Sequence, residues 1–157
     1  MHPNEQLLER LYTCLREHDA DGMAACYHPD ATFDDIAFSL AGRKKIHAMW
    51  DMICRTDIRA EFKVLHADNE TGVVDLVDEY HYGRTDSDPG RPVHNAIRST
   101  FGFRDGLIFA HEDRCDALVW GRQALGPALG VLTWLVPIAR TIKAKKKLKP
   151  YLAAHQA

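Results

Sequence analysis

Four stretches of the 157-residue chain carry side chains that could move a proton: Asp34-Asp35, Asp78 with Tyr80, Asn95 with Ser99, and His111 with Asp113. Neighbouring strand residues face opposite ways, so if Phe33 and Asp35 point inward, Asp34 meets water. Apolar surroundings raise a carboxyl's pKa and make it a usable base near neutrality. The competing reading of Asp35 is a turn carboxylate ahead of the 36–40 loop. His111 and Asp113 share a face with Leu107, Phe109 and Cys115. A histidine two residues away can hydrogen-bond the acid or relay its proton. The pair can equally be a structural tie between its strand and a helix capped by Asp116.

Asn95 has the parity of Ile97, Ser99, Phe101 and Phe103, the apolar side of its strand. Its amide either enters a cavity or is satisfied at the strand end. Val74, Leu76, Asp78, Tyr80 and Tyr82 form the more apolar face of the preceding strand. That face makes Asp78 a buried carboxylate in need of a partner, with Tyr80 beside it or walling a pocket. A slip of one residue would reverse the assignment. Trp50, Met49, Tyr27 and Phe62 read as wall. The histidines at 28, 47, 66, 81, 94 and 111 lack HxH or HxxxH spacing, so neither a metal nor another cofactor is expected. No Gly-rich phosphate loop or Ser/His/Asp nucleophile motif is present.

These residues need elements to hold them. Leu7, Leu8, Leu11, Cys14 and Leu15 recur at helical spacing, giving a helix over 4–18 with Asn4 as its cap. A short helix over 20–27, a strand over 31–35 and a helix over 42–55 follow. From Arg59 the period changes to two, giving strands 59–67, 72–83, 92–104 and 106–115. Asp105-Gly106 between alternating apolar residues is a hairpin signal. Helical patterning returns over 117–125 and 128–149, with a kink at Pro137. Helices ahead of a run of antiparallel strands argue for an α+β domain whose helices pack on one face of a curved sheet. Such a sheet leaves a concave pocket suited to a small molecule.

Net charge is −2, which gives no overall pull towards nucleic acid or membrane. Residues 117–157 nonetheless carry seven basic residues and no acid, leaving −9 on the rest. Cys14, Cys26, Cys54 and Cys115 are scattered and fit reduced thiols in a cytoplasmic protein. The polar start MHPNEQLLERL lacks the apolar stretch of a signal peptide. The apolar segment around Trp134 and Leu135, followed by Lys143–Lys149, has two readings. It packs across the sheet or a second subunit, or residues 128–149 lie on an anionic membrane surface. Packing is the favoured reading, and a homodimer is expected.

The stretch Tyr27-His28-Pro29-Asp30-Ala31-Thr32-Phe33-Asp34-Asp35 resembles the helix-to-strand entry of ketosteroid isomerase-like and SnoaL-like proteins of the nuclear transport factor 2-like superfamily. Gly42 and the Trp50 helix fit that pattern. So do residues 90–95, 101–108, 111–116 and 122–126, and the likeness covers roughly 5–126. The resemblance implies a cystatin-like α+β cone: a curved antiparallel sheet with N-terminal helices enclosing a pocket, over 1–126. Residues 127–157 are a helical, basic C-terminal extension of the same domain. It places Asp35 at the proton-shuttling carboxylate of ketosteroid isomerases and Asp113 at the acid/base of SnoaL-like cyclases. The isomerase's phenol and protonated acid do not carry over, because Leu11 and Ser99 stand in their places. Tyr12 is turned from Leu11 by about 100° of helix, and steroid isomerisation by that route is not expected.

The expected protein therefore binds an apolar small molecule and not nucleic acid. As an isomerase, lyase or cyclase it would use Asp35 or Asp113 as proton shuttle. His111, Asn95 and Ser99 would orient an apolar carbonyl substrate, with Asp78, Tyr80, Trp50, Tyr27 and Phe101 around it. The alternative is a non-catalytic ligand-binding or dimerisation module whose tail contacts a partner or membrane surface.

Overall fold

A computed structural model describes residues 1–135 and 137–156; the side chains of 133–140 lie outside the described set, and with them those of Trp134 and Leu135. Helix α1 (Pro3–Arg16) starts one residue before the expected Asn4. His2 is its cap: the ring accepts from the Asn4 N–H, and Glu5 reaches back to the His2 N–H. Asn4 is buried and donates to the Asp68 carbonyl at 2.8 Å, tying α1 to a distant turn. Helix α2 (Ala20–Ala24) is capped by Asp19.

Strand β1 (Tyr27–Asp34) begins earlier than the sequence suggested. Pro29 is accommodated because β2 (Ser39–Ala41) pairs only with Thr32–Asp34 and the pairing with β6 is irregular between Tyr27 and Thr32. Strand β2 lies in the stretch expected to be loop. Helix α3 (Arg43–Cys54) follows, then β3 (Arg59–Ala67), β4 (Thr71–Tyr82), β5 (Arg91–Arg104) and β6 (Leu107–Cys115). The order across the sheet is β2-β1-β6-β5-β4-β3. One pairing departs from the antiparallel expectation: β1 runs parallel to β6, so the curved, open sheet is mixed. The Asp105-Gly106 hairpin forms with positive φ at both residues, 53° and 72°.

The core fills the concave side of the sheet. Leu8, Leu11, Tyr12 and Leu15 of α1 and Ile46, Met49 and Trp50 of α3 meet Val74, Leu76, Phe101 and Ile108. Partners jump from Gly102↔Ala110 to Phe103↔Ile108, leaving Phe109 as an extra residue in β6. This bulge changes the side-chain phase. Ile108 and His111 are both buried, while Phe109 leaves the expected inner face and packs under the Arg104 guanidinium and beside His28.

Asp116 accepts from the Leu118 and Val119 N–H groups and starts α4 (Ala117–Leu125). Helices α5 (Pro127–Leu135) and α6 (Pro137–His155) complete the chain, and the helix break expected at Pro137 falls between them. Helix α6 runs past the expected end at 149 and lies on α3: Leu148 is buried, and His155 reaches Asp51 at 3.1 Å. A Cβ on Gly130 would fall onto the Arg122 backbone, so α5 crosses α4 in close contact. All four cysteines are free. Among the described residues no helix is long and apolar enough to cross a membrane.

Candidate functional site

A cavity of about 410 Å³ opens between the concave sheet and the helices. Its floor is Phe33, Trp50, Leu76 and Ile97, and its helical cover is Trp120, Leu125, Leu129 and Leu132. Trp120 fixes that cover: its indole N–H donates to the Tyr80 hydroxyl at 2.7 Å and its ring meets Tyr82 edge-on. Three carboxyls, Asp35, Asp78 and Asp113, line the otherwise apolar space.

Asp113 ends two buried hydrogen-bond lines. In one, the Trp50 N–H donates to the Tyr27 hydroxyl (3.2 Å), which lies 2.7 Å from His111 Nδ1; His111 Nε2 lies 2.7 Å from Asp113 Oδ1. A carboxylate at Asp113 can only accept, so on a neutral His111 ring Nδ1 is the acceptor and the Tyr27 hydroxyl donates to it. His111 then carries its hydrogen on Nε2 and donates to the carboxylate. In the other line, Tyr12 donates to Ser99 (2.8 Å) and Ser99 donates to Asp113 Oδ1 (2.5 Å). Both lines land on Oδ1, leaving Oδ2 free of them. Burial holds the Tyr12 and Tyr27 pKa values well above the ordinary phenol value, so both phenols stay protonated.

Asp35 serves as the turn carboxylate and also lines the cavity. Its Oδ1 accepts from the Ala37 and Phe38 N–H groups at 2.7 and 2.6 Å. Burial raises its pKa to about 6 against those two bonds, helped by the charge of Asp113. Burial and then Asp113 raise Asp78 to about 7, while the Asn95 amide opposes the rise. Asp78 Oδ1 is buried and has no hydrogen-bond partner. The arginines paired with acids among the described residues do so elsewhere: Arg98 with Asp75, Arg84 with Asp57, Arg55 with Asp51, Arg59 with Glu79 and Arg114 with Glu112. Among the described residues no three His, Cys, Asp or Glu side chains are grouped to hold a metal ion.

The family model of the SnoaL-like domain matches residues 8–111. The chain belongs to the SnoaL-like family. No curated protein matches it. Its fold is shared with a candidate polyketide cyclase of Silicibacter sp. TM1040, at 20% identity and TM-score 0.65 over 76% of this chain and 93% of that one. An LEH-like epoxide hydrolase of M. tuberculosis matches at 18% identity and TM-score 0.60, over 84% and 94%. A protein of ketosteroid isomerase-like fold from Catenulispora acidiphila, solved with trimethylamine, matches at 13% and 0.62, over 75% and 91%.

In this SnoaL-like chain, Asp35, Trp50, Asp78, Tyr80, Asn95 and Asp113 line the cavity. Tyr27, Ser99, Phe101 and His111 are buried next to that lining. Tyr12, turned away from the site in the sequence reading, reaches it because Leu8, Leu11, Tyr12 and Leu15 all face the core. Its i, i+4 spacing from Leu8 was the available signal. Trp120, Lys143 and Lys147 also border the cavity and were missed. The spacing of the two lysines puts them on one helix face, but nothing local says that the face returns to the sheet.

Proposed function

We propose that this SnoaL-like chain is a proton-transfer enzyme of the cyclase or isomerase kind, acting on an apolar carbonyl compound held in the cavity. The observation that carries this reading is the convergence of two buried donor lines on one oxygen of Asp113 at an apolar wall. Donors fixed before the substrate arrives need no reorganisation during reaction. In this reading Asp113 Oδ2 takes a proton from the carbon next to the substrate carbonyl, and the C–H electron pair moves into an enolate. The protonated fraction of Asp78, beside Asn95, donates to the oxygen where charge gathers. Return of the proton by Asp113 to another carbon gives an isomer. Attack of the enolate carbon on a second carbonyl of the same molecule closes a ring: the C=O π pair moves to oxygen, and that alkoxide takes the proton Asp113 holds. Membership of the SnoaL-like family and the likeness in fold to a candidate polyketide cyclase support this class of chemistry.

The test is deuterium exchange at the α-carbon of apolar cyclic ketones in D2O, followed by NMR. Asp113→Asn keeps an oxygen that accepts from His111 and Ser99 but loses the basic one. Its exchange rate is expected to fall by about 10²–10⁴-fold with little change in melting temperature. Exchange no faster than without protein, or unchanged in Asp113→Asn, would exclude the reading.

A further inference from the structure

The cavity is electrically polarised, and its mouth is the end that the proton chemistry does not use. Lys143 and Lys147 lie four residues apart on α6, and both line the cavity while remaining exposed to solvent, which puts them at its opening. Their ammonium groups converge on one aromatic ring, 5.5 and 4.2 Å from the Tyr82 ring centroid. Like charges at this spacing repel each other and cost stability. A ring quadrupole attracts a cation but does not neutralise it. Among the described residues no carboxylate forms an ion pair with either lysine, although the chain carries more acidic than basic residues. Burial and the nearby Lys143 charge both lower the Lys147 pKa, as expected for an ammonium partly shielded from water beside a second one.

The other wall carries the opposite character. Asp35, Asp78 and Asp113 all face the same space. An anionic group pushed inward would meet three acids; at the mouth it would meet two unpaired cations. Between the two ends the lining is apolar, with Ile53, Ile58, Leu76, Ile97, Leu129 and Leu132 contributing.

We propose that the cavity takes an amphiphile with an anionic head, a carboxylate or phosphate bound between Lys143 and Lys147 at the mouth, and an apolar body that runs inward to the acids. This names a substrate class for the proposed reaction and rests on that reading only for what happens at the inner end. An apolar acid bearing a second, carbonyl function would place that carbonyl near Asp113 while its head stayed at the lysines. Neutral and cationic amphiphiles of the same length would lose the head contact.

Four probes of one chain length separate the contributions: decanoate, decyl phosphate, decanol and decyltrimethylammonium, titrated by calorimetry near pH 7 into the full chain. At least one of the two anions is expected to bind about tenfold or more tighter than decanol, as for a hydrogen-bonded charged pair. Whichever of the two it is identifies the head. In the Lys143→Met/Lys147→Met double variant that preference is expected to vanish, while decanol affinity stays within about twofold and reports an intact cavity. Equal binding of anions and decanol by the unaltered chain overturns the proposal, as does an anion preference that survives in the double variant. No binding of any probe overturns it too. Should the double variant lose decanol as well, single Lys143→Gln and Lys147→Gln variants decide: anion preference reduced in both supports the proposal, and unchanged preference overturns it. Because the readout is binding of probes that carry no ketone, its outcome does not depend on the reaction proposed at Asp113. A failed reaction and a failed head site are thereby told apart.

Discussion

Asp35 and Asp78 hold their protons more tightly in the folded chain, near 6 and 7, than in an open chain near the ordinary 3.8. Between those limits the folded state binds more protons than the unfolded one, so stability falls as pH rises. The loss begins above the ordinary carboxyl value and is complete once pH passes about 7. Asp78→Asn removes the larger part, so its melting temperature is expected to fall less than that of the unaltered chain between pH 4.5 and 8. The same titration sets a limb on the proposed reaction: α-exchange should decline above about pH 7 as Asp78 loses its proton, and Asp78→Asn should lack that limb. Tyr27→Phe leaves the Trp50 N–H and His111 Nδ1 without their shared partner. It is expected to cost about 1–3 kcal/mol by denaturant unfolding. Parity along a strand was enough to put Asp78, Tyr80 and Asn95 on the inner face. It could not show that Tyr12 and Tyr27 reach Ser99 and His111, because those bonds join residues 87 and 84 positions apart.

At the scale of elements, local signals were the readable ones. The Asp-Gly hairpin, the Asp116 cap and the helical spacing of α1 and α3 each act over a few residues. Strand β2 has three residues and no alternation long enough to see. The parallel β1–β6 pairing joins strands some eighty positions apart and leaves no local trace. The Asp116 cap satisfies two N–H groups of α4, and α4 carries Trp120 over the cavity. Asp116→Ala is therefore expected to cost about 1 kcal/mol in thermal unfolding. Gly130→Leu must displace α5 from the Arg122 backbone. It is expected to weaken ligand binding, measured by calorimetry with decanol, more than it changes helix content by circular dichroism.

Across the whole molecule, the fold follows from two faces that must be buried together: the concave side of the sheet and the apolar stripes of α1, α3 and α6. A cavity persists because the helical cover rests on Trp120 and Tyr80 and does not sink into Leu76 and Ile97. An apolar ligand at about 100 times its dissociation constant should add roughly 2.7 kcal/mol to stability, visible as a raised melting temperature. The sequence shows that the tail is apolar and basic, but it cannot show which surface receives the tail. Val119, Leu129 and Leu132 remain exposed near the cavity's cover. If they pair two copies, light scattering should give twice the 17.8 kDa chain mass.

The surplus Phe109 sets conflicting demands on any shortened chain. With it, β6 can bury Ile108 and still turn His111 and Asp113 inward. Deleting it would force a choice between a sealed hairpin end and an inward-facing acid. Gain or loss of one amino acid between Ile108 and His111 would act as an on–off setting for the chemistry, with the remaining strands free to keep their neighbours.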